Sequence, residues 1–298
     1  MNNLLSFKTL YDFALSEKVK LKIEKIILVI AMVSFLVHLA LIYLKKYTVL
    51  NLFQDSNFFD SPIAAIYTPF SFILIYEVYL LIFYLPRSIT TYITKQYEII
   101  TLIVIRRIFK DLSNLELSFN WFDIKNDIAF TYDIITALIL FFLIYVFSYL
   151  RESLDRDSSL SSVETSQIKQ FIRIKKIMAT LLIPIFIFIG LLTFGHWITD
   201  STPENFSAVL KDVNSLFFDE FFAVLIIVDV LLLLVSFFYT DQFHKVIRNS
   251  GFIISTILIR MSFSVDGVLN NILIFASIAF GLGILWIHNK FAKNLKLE

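Results

Sequence analysis

The stretch EIITLIVIRRIF, Glu98–Phe109, decides how this chain is built. Seven apolar or hydroxyl-bearing residues, Ile99 to Ile105, run directly into two adjacent arginines. Taken alone it fits a helix that crosses a bilayer or a helix that lies on its surface, and the two give different proteins.

The remainder of the chain sets the context. Of 298 residues 58% are hydrophobic and 17% charged, and the mean hydropathy is +0.77, whereas a soluble domain holds about 45–50% apolar residues. The composition is that of an integral membrane protein whose first partner is the lipid bilayer. The formal net charge is only +1, and no basic cluster with interleaved aromatics stands outside the membrane-flanking loops, which argues against nucleic-acid binding. Cysteine is absent, which excludes disulfides, thiolate metal ligands and cysteine nucleophiles. The N-terminal stretch has no small-residue cleavage site, so insertion is expected to rest on the first span.

A crossing of about 30 Å of hydrocarbon takes roughly 20 residues of helix. Six runs qualify without difficulty: Ile26–Leu44, Pro62–Leu85, Ile128–Leu150, Ile177–Ile198, Phe218–Tyr239 and Val268–Ile287. Two are doubtful because they are short and carry arginine: Tyr92–Leu112, which holds the opening stretch, and Ser250–Val265.

Lysine and arginine gather in short cytoplasmic loops, and that rule separates six crossings from eight. With six crossings and the N-terminus inside, the loop Arg151–Lys176 and its six cations would face outward, and Asp200–Phe217 with its single cation inward. That is the reverse of the rule. If both doubtful segments cross, the inner side collects eighteen lysines and arginines and the outer side keeps Lys45, Lys46, Lys125 and Lys211 beside Asp55, Asp60, Asp123, Asp200, Glu204 and Asp212. The expectation is therefore an all-α polytopic bundle of eight transmembrane helices with both termini cytoplasmic. Six crossings plus two interfacial helices is the alternative.

Internal similarity points the same way. Set against FIISTILIRMSF, Phe252–Phe263, the opening stretch keeps Ile99, Ile100, Ile103, Ile105, Arg106 and Phe109 at an offset of 154. Upstream, KLKIEKI at 20–26 sits over FIRIKKI at 171–177, and the apolar run around Glu77 over the run around Asp229. This predicts two tandem parallel four-helix repeats, since four crossings return the chain to its starting side. The expected organisation is a cytoplasmic segment over 1–25, a first unit over 26–150, a polar linker over 151–170 and a second unit over 171–298.

The arginines of the opening stretch then fall inside the bilayer, on the third helix of each unit. A charge at mid-depth is costly and usually faces the bundle interior and pairs. Glu77 and Asp229, each near the middle of the second helix of its unit, are the candidate partners for Arg106 and Arg260, and bidentate pairing would offset much of the burial cost. As pairs they are either structural pins or elements of a polar pathway. His38, within the first span, is a candidate proton relay or a neutral histidine bonded to a neighbouring helix. Asp133 reads as a solvated carboxylate near the outer end of the fourth span.

Enzyme signatures are missing: no HExxH, no nucleophile elbow, no phosphate-binding loop and no dinucleotide fingerprint. The four histidines have no metal-ligand spacing, so neither metal nor cofactor is expected. The first glycine is Gly190, so the first unit has none of the freed backbone on which broken-helix sites usually depend. The expected function is an ion channel or transporter of the cell membrane, plasma or inner, moving protons or small ions along a side-chain-lined path. The alternative is a non-transporting scaffold or signalling subunit. A homo-oligomer or a place in a larger membrane complex fits either.

Overall fold

A computed structural model describes residues 10–47, 62–112, 125–158, 166–200, 206–239, 242–265 and 267–294. Among the described residues the chain is helical and free of strands. Its long helices are α1 (Glu17–Lys46), α2 (Tyr67–Tyr84), α3 (Ile89–Leu112), α4 (Lys125–Ser158), α5 (Ser166–Asp200), α6 (Phe206–Tyr239), α7 (Phe243–Ser262) and α8 (Val268–Asn294), with a 3₁₀ turn over Pro62–Ile66 before α2.

Five of these helices are long and apolar enough to cross a membrane: those within Leu10–Lys46, Asp127–Glu152, Gln167–Thr193, Glu220–Tyr239 and Val268–Asn294. The helix Thr68–Tyr84 is apolar but shorter. Large apolar side chains stand on the outside of the bundle, such as Leu28, Val29 and Met32 on α1 and Leu138, Phe141 and Phe142 on α4. In water such a surface would aggregate; against acyl chains it costs nothing. The chain is a multi-pass membrane protein by the length and composition of its helices.

Local sequence explains where the helices begin and end. Ser16 caps α1, its hydroxyl accepting from the Val19 amide, and Glu17 in the first turn and Lys45 and Lys46 in the last suit the helix dipole. The α7–α8 turn includes Gly267 at φ +69°, a left-handed backbone that glycine adopts without cost. The polar stretch expected as a linker over 151–170 is entered by helix from both sides: α4 continues to Ser158 and α5 starts at Ser166.

The packing pattern has an order of its own. In the first half α1 packs on α2, α2 on α3 and α3 on α4; in the second α5 packs on α6, α6 on α7 and α7 on α8. Between the halves α3 meets α7, α4 meets α8, and α2 meets α5. At the α2–α5 contact the buried Lys175 of α5 donates to the Arg87 carbonyl just past the end of α2. The doubtful segments of the sequence are therefore the inner pair. On α3 the residues Tyr92, Thr94, Gln96, Tyr97 and Thr101 are buried, and on α7 Asn249, Ser255, Thr256, Arg260 and Ser262. Neither helix lies on the surface of the bundle with its polar side turned out.

One aromatic runs through the centre. Tyr97 of α3 packs edge-on against Phe147 of α4 at 5.1 Å, and Phe147 against Phe252 of α7 at 5.7 Å. The Tyr97 hydroxyl bonds the Ser255 hydroxyl at 2.7 Å, and Ser255 donates in turn to the Ser277 carbonyl of α8. The phenol fits because residue 281 is glycine: a Cβ there would overlap the Tyr97 hydroxyl. Gly281→Ala is expected to lower stability in detergent by about 1–3 kcal/mol, the usual cost of overpacking. Because Tyr97→Phe removes the nearest clashing atom, thermal melts of the two single variants and the double variant should add to less than the sum of the single effects.

Candidate intramembrane polar site

Asp229 is one of two acids among the described residues that have no exposed surface, the other being Asp127. Asp229 sits on the buried face of α6 among Leu225, Val228 and Leu232. An isolated carboxylate in such surroundings would cost several kcal/mol at least, and two helices answer it. From α7, Arg260 Nη2 donates to Asp229 Oδ2 at 2.8 Å, and Thr256 Oγ1 lies at 3.5 Å from the same oxygen. From α3, Tyr92 Oη donates to Oδ1 at 2.9 Å, with Gln96 Nε2 at 3.5 Å from Oδ2. Gln96 also accepts from Arg260 Nη2 at 3.3 Å. Tyr92 and Gln96 are four residues apart, as are Thr256 and Arg260, so each pair forms one row on its helix. The carboxylate lies between the two rows.

Arg260 uses only part of its donor set. Its Nη1 is buried and among the described residues finds no partner, although a guanidinium has five N–H groups to satisfy.

A second network lies on α3, α4 and α8. Arg107 engages both oxygens of Asp133, through Nε and through Nη2 at 2.9 Å. Its Nη1 donates to Asn270 Oδ1 at 3.0 Å and its Nη2 to Asn271 Oδ1. Asn271 closes the ring by donating to Asp133 Oδ1 at 2.6 Å, and Asn270 donates to the Ser262 carbonyl at 2.5 Å. Asp133 is 4% exposed, so it is buried and bidentately paired, not the solvated carboxylate its place near a span end implied. The fork geometry makes this arginine hard to replace by lysine.

The residues expected as site members are distributed as follows. Asp229 and Arg260 are in contact. Glu77 and Arg106 are not: Glu77 is buried, and Arg106 acts on it through space, but among the described residues no ion pair joins them. Residues adjacent in a helix point about 100° apart, so Arg106 and Arg107 face different neighbours, and the second of them takes the carboxylate on α4. His38 is buried between α1 and α2, its Nδ1 2.5 Å from Thr68 Oγ1, and shares no described bond with either network.

Sequence reading missed Tyr92, Gln96, Arg107, Asp133, Asn270 and Asn271 as partners. The amide pair at 270–271, set in an apolar run, was the visible signal. The partners that lie 137 and 164 residues away were not. Among the described residues no three His, Cys, Asp or Glu side chains gather in a way that could hold a metal ion.

No protein-family model matches the chain, and neither a curated protein nor a solved structure is similar to it at a significant level.

Removing one member of the Asp229–Arg260 pair leaves the other as an uncompensated buried charge. Arg260→Met or Asp229→Leu alone should each destabilise the protein in detergent by about 3–5 kcal/mol. The double variant should recover part of that loss, because no buried charge remains. Thermal unfolding of the three variants checks this.

Proposed function

We propose that the chain is an ion-translocating membrane protein, a channel or transporter in which protons or small ions pass between side chains buried among the helices. The observation that carries this reading is the Asp229–Arg260 pair with its attendant Tyr92, Gln96 and Thr256 at the centre of an apolar bundle. A charged side chain at mid-bilayer costs about 2.5–3.5 kcal/mol on insertion scales, and such residues most often mark ion pathways and proton relays. Helices that need only to associate do so with small residues and modest hydrogen bonds. Glu77, Arg106 and His38 are the other polar elements of the path.

Eight crossings belong to the same proposal. At 24 and 20 residues, α3 and α7 measure about 36 and 30 Å at 1.5 Å per residue, enough for the hydrocarbon layer. Their enclosed positions favour crossing over an interfacial location. Two tandem units are supported by the matching order of helix contacts in the two halves and by the acid of α2 and α6 preceding the arginine of α3 and α7. On this reading the chain works in the plasma or inner membrane with both termini in the cytoplasm. It acts as a homo-oligomer or as a subunit of a larger complex, and not as an enzyme.

A scaffold or signalling subunit is the second reading, favoured by one observation. Both networks join the halves, α3 to α6 and α7 in one case and α3 and α4 to α8 in the other, as a pin would. Flux separates the readings. In proteoliposomes the wild type should dissipate a proton or cation gradient, and Glu77→Gln combined with Asp229→Asn should abolish that; unchanged flux in the double variant removes the mechanism.

The chain has no cysteine of its own, so topology is measured directly. Gln242→Cys and Ser264→Cys, at exposed positions flanking α7, should react with an impermeant thiol reagent from opposite sides of the membrane. Reaction from one side would leave α7 uncrossed and end the eight-span reading.

A further inference from the structure

The two acids that the repeat pairs by position are not in equivalent states of engagement. Asp229 has both oxygens taken, by Arg260 and Tyr92, with Gln96 and Thr256 beside them. Glu77 is 6% exposed and sits on the same buried face of α2 as Leu74, Val78 and Leu81. Yet among the described residues neither an ion pair nor a side-chain hydrogen bond reaches its carboxyl, and the charged influence on it is Arg106, acting through space. The offset of 154 explains the difference. Tyr92 and Gln96 of α3 fall opposite Val246 and Ser250 of α7, so at the equivalent positions α7 has neither phenol nor amide to offer the first unit in return.

Apart from Arg106, several charged groups on the helices packed against α2 are engaged elsewhere. On α1, Glu24 accepts from the Tyr76 hydroxyl at 2.8 Å, and Glu17 pairs with Arg87 at 2.7 Å and with Lys20 at 3.6 Å. On α5, Lys175 donates to the Arg87 carbonyl. On α3, Arg107 is held by Asp133, and Lys95 is held by Glu98 at 2.5 Å.

From this asymmetry we infer that Glu77 is the proton-exchange site of the protein and that Asp229 is a fixed anion of the same polar path, kept paired with Arg260. The lone pairs of Asp229 are committed to donors, whereas those of Glu77 are open. A proton needs one of them. A metal cation needs several oxygens at once, and no second and third carboxylate or histidine joins Glu77 among the described residues. The inference rests on the transport reading above for its purpose but not for its chemistry, and the two can fail separately.

The test is labelling of the full-length protein in liposomes with dicyclohexylcarbodiimide, an apolar reagent that enters the bilayer. A protonated carboxyl adds across its N=C=N group, the oxygen bonding to carbon and the proton moving to nitrogen, and rearrangement leaves a stable acylurea that peptide mass mapping locates. The adduct is expected on Glu77, with loss of labelling as the pH rises and complete loss in Glu77→Gln, while the Asp229 peptide stays unmodified. Wild-type proton flux should fall in step with the labelled fraction. An adduct on Asp229 but not on Glu77, or Glu77 unlabelled at every pH tested, overturns the assignment. Labelled Glu77 in a protein that moves no protons upholds the site and removes the transport reading. Flux that survives Glu77→Gln does the reverse.

Discussion

A carboxylate buried in hydrocarbon has to be met by donors from its neighbours, and Asp229 is met from two helices at once. That requirement organises the centre of the molecule. In lipid, apolar faces gain little by leaving acyl chains for one another, so helix association leans on close packing and on polar contacts. The Asp229 network supplies such contacts among α3, α6 and α7, and the Arg107–Asp133 network among α3, α4 and α8. The two least apolar helices, α3 and α7, are thereby drawn inward, while α1 and α4 turn large side chains to the lipid.

The two networks share α3 but differ in kind. Around Asp229 the donors are neutral except for Arg260, and the acid has no exposed surface. Around Arg107 the charge is more open, the arginine side chain being 31% exposed, and three helices contribute to a planar fork. The first suits a permanent element of the core; the second suits an end of the bundle, where one member reaches toward headgroups or water. Glu77 is buried, and among the described residues its carboxyl makes neither an ion pair nor a side-chain hydrogen bond; the proposed transport function turns on that difference between it and Asp229.

Legibility in the sequence followed the range of the physics. Composition and hydropathy run length are sums over neighbours in the chain, so membrane insertion and the long apolar helices could be read directly. The lysines and arginines between runs carried the expected topology, and the recurrence of Ile-Ile and Arg-Phe spacing at 99–109 and 253–263 carried the expected repeat. The Asp229–Arg260 contact was anticipated because α6 and α7 are consecutive. Partners across the halves were not, since nothing in the order of residues says that Tyr92 will stand beside Asp229.

By itself the sequence determined that this is a helical membrane protein, where its apolar segments lie, and that acids and arginines fall within them. Only the tertiary structure decided which arginine meets which acid. Arg106 and Arg107 are neighbours in the chain and about 100° apart around the helix, and the partner of each depends on which helix stands in that direction. Asp133 is buried for the same reason: the position of a residue along its helix is written locally, whereas the presence of Arg107 and Asn271 beside it is a property of how α3, α4 and α8 come together.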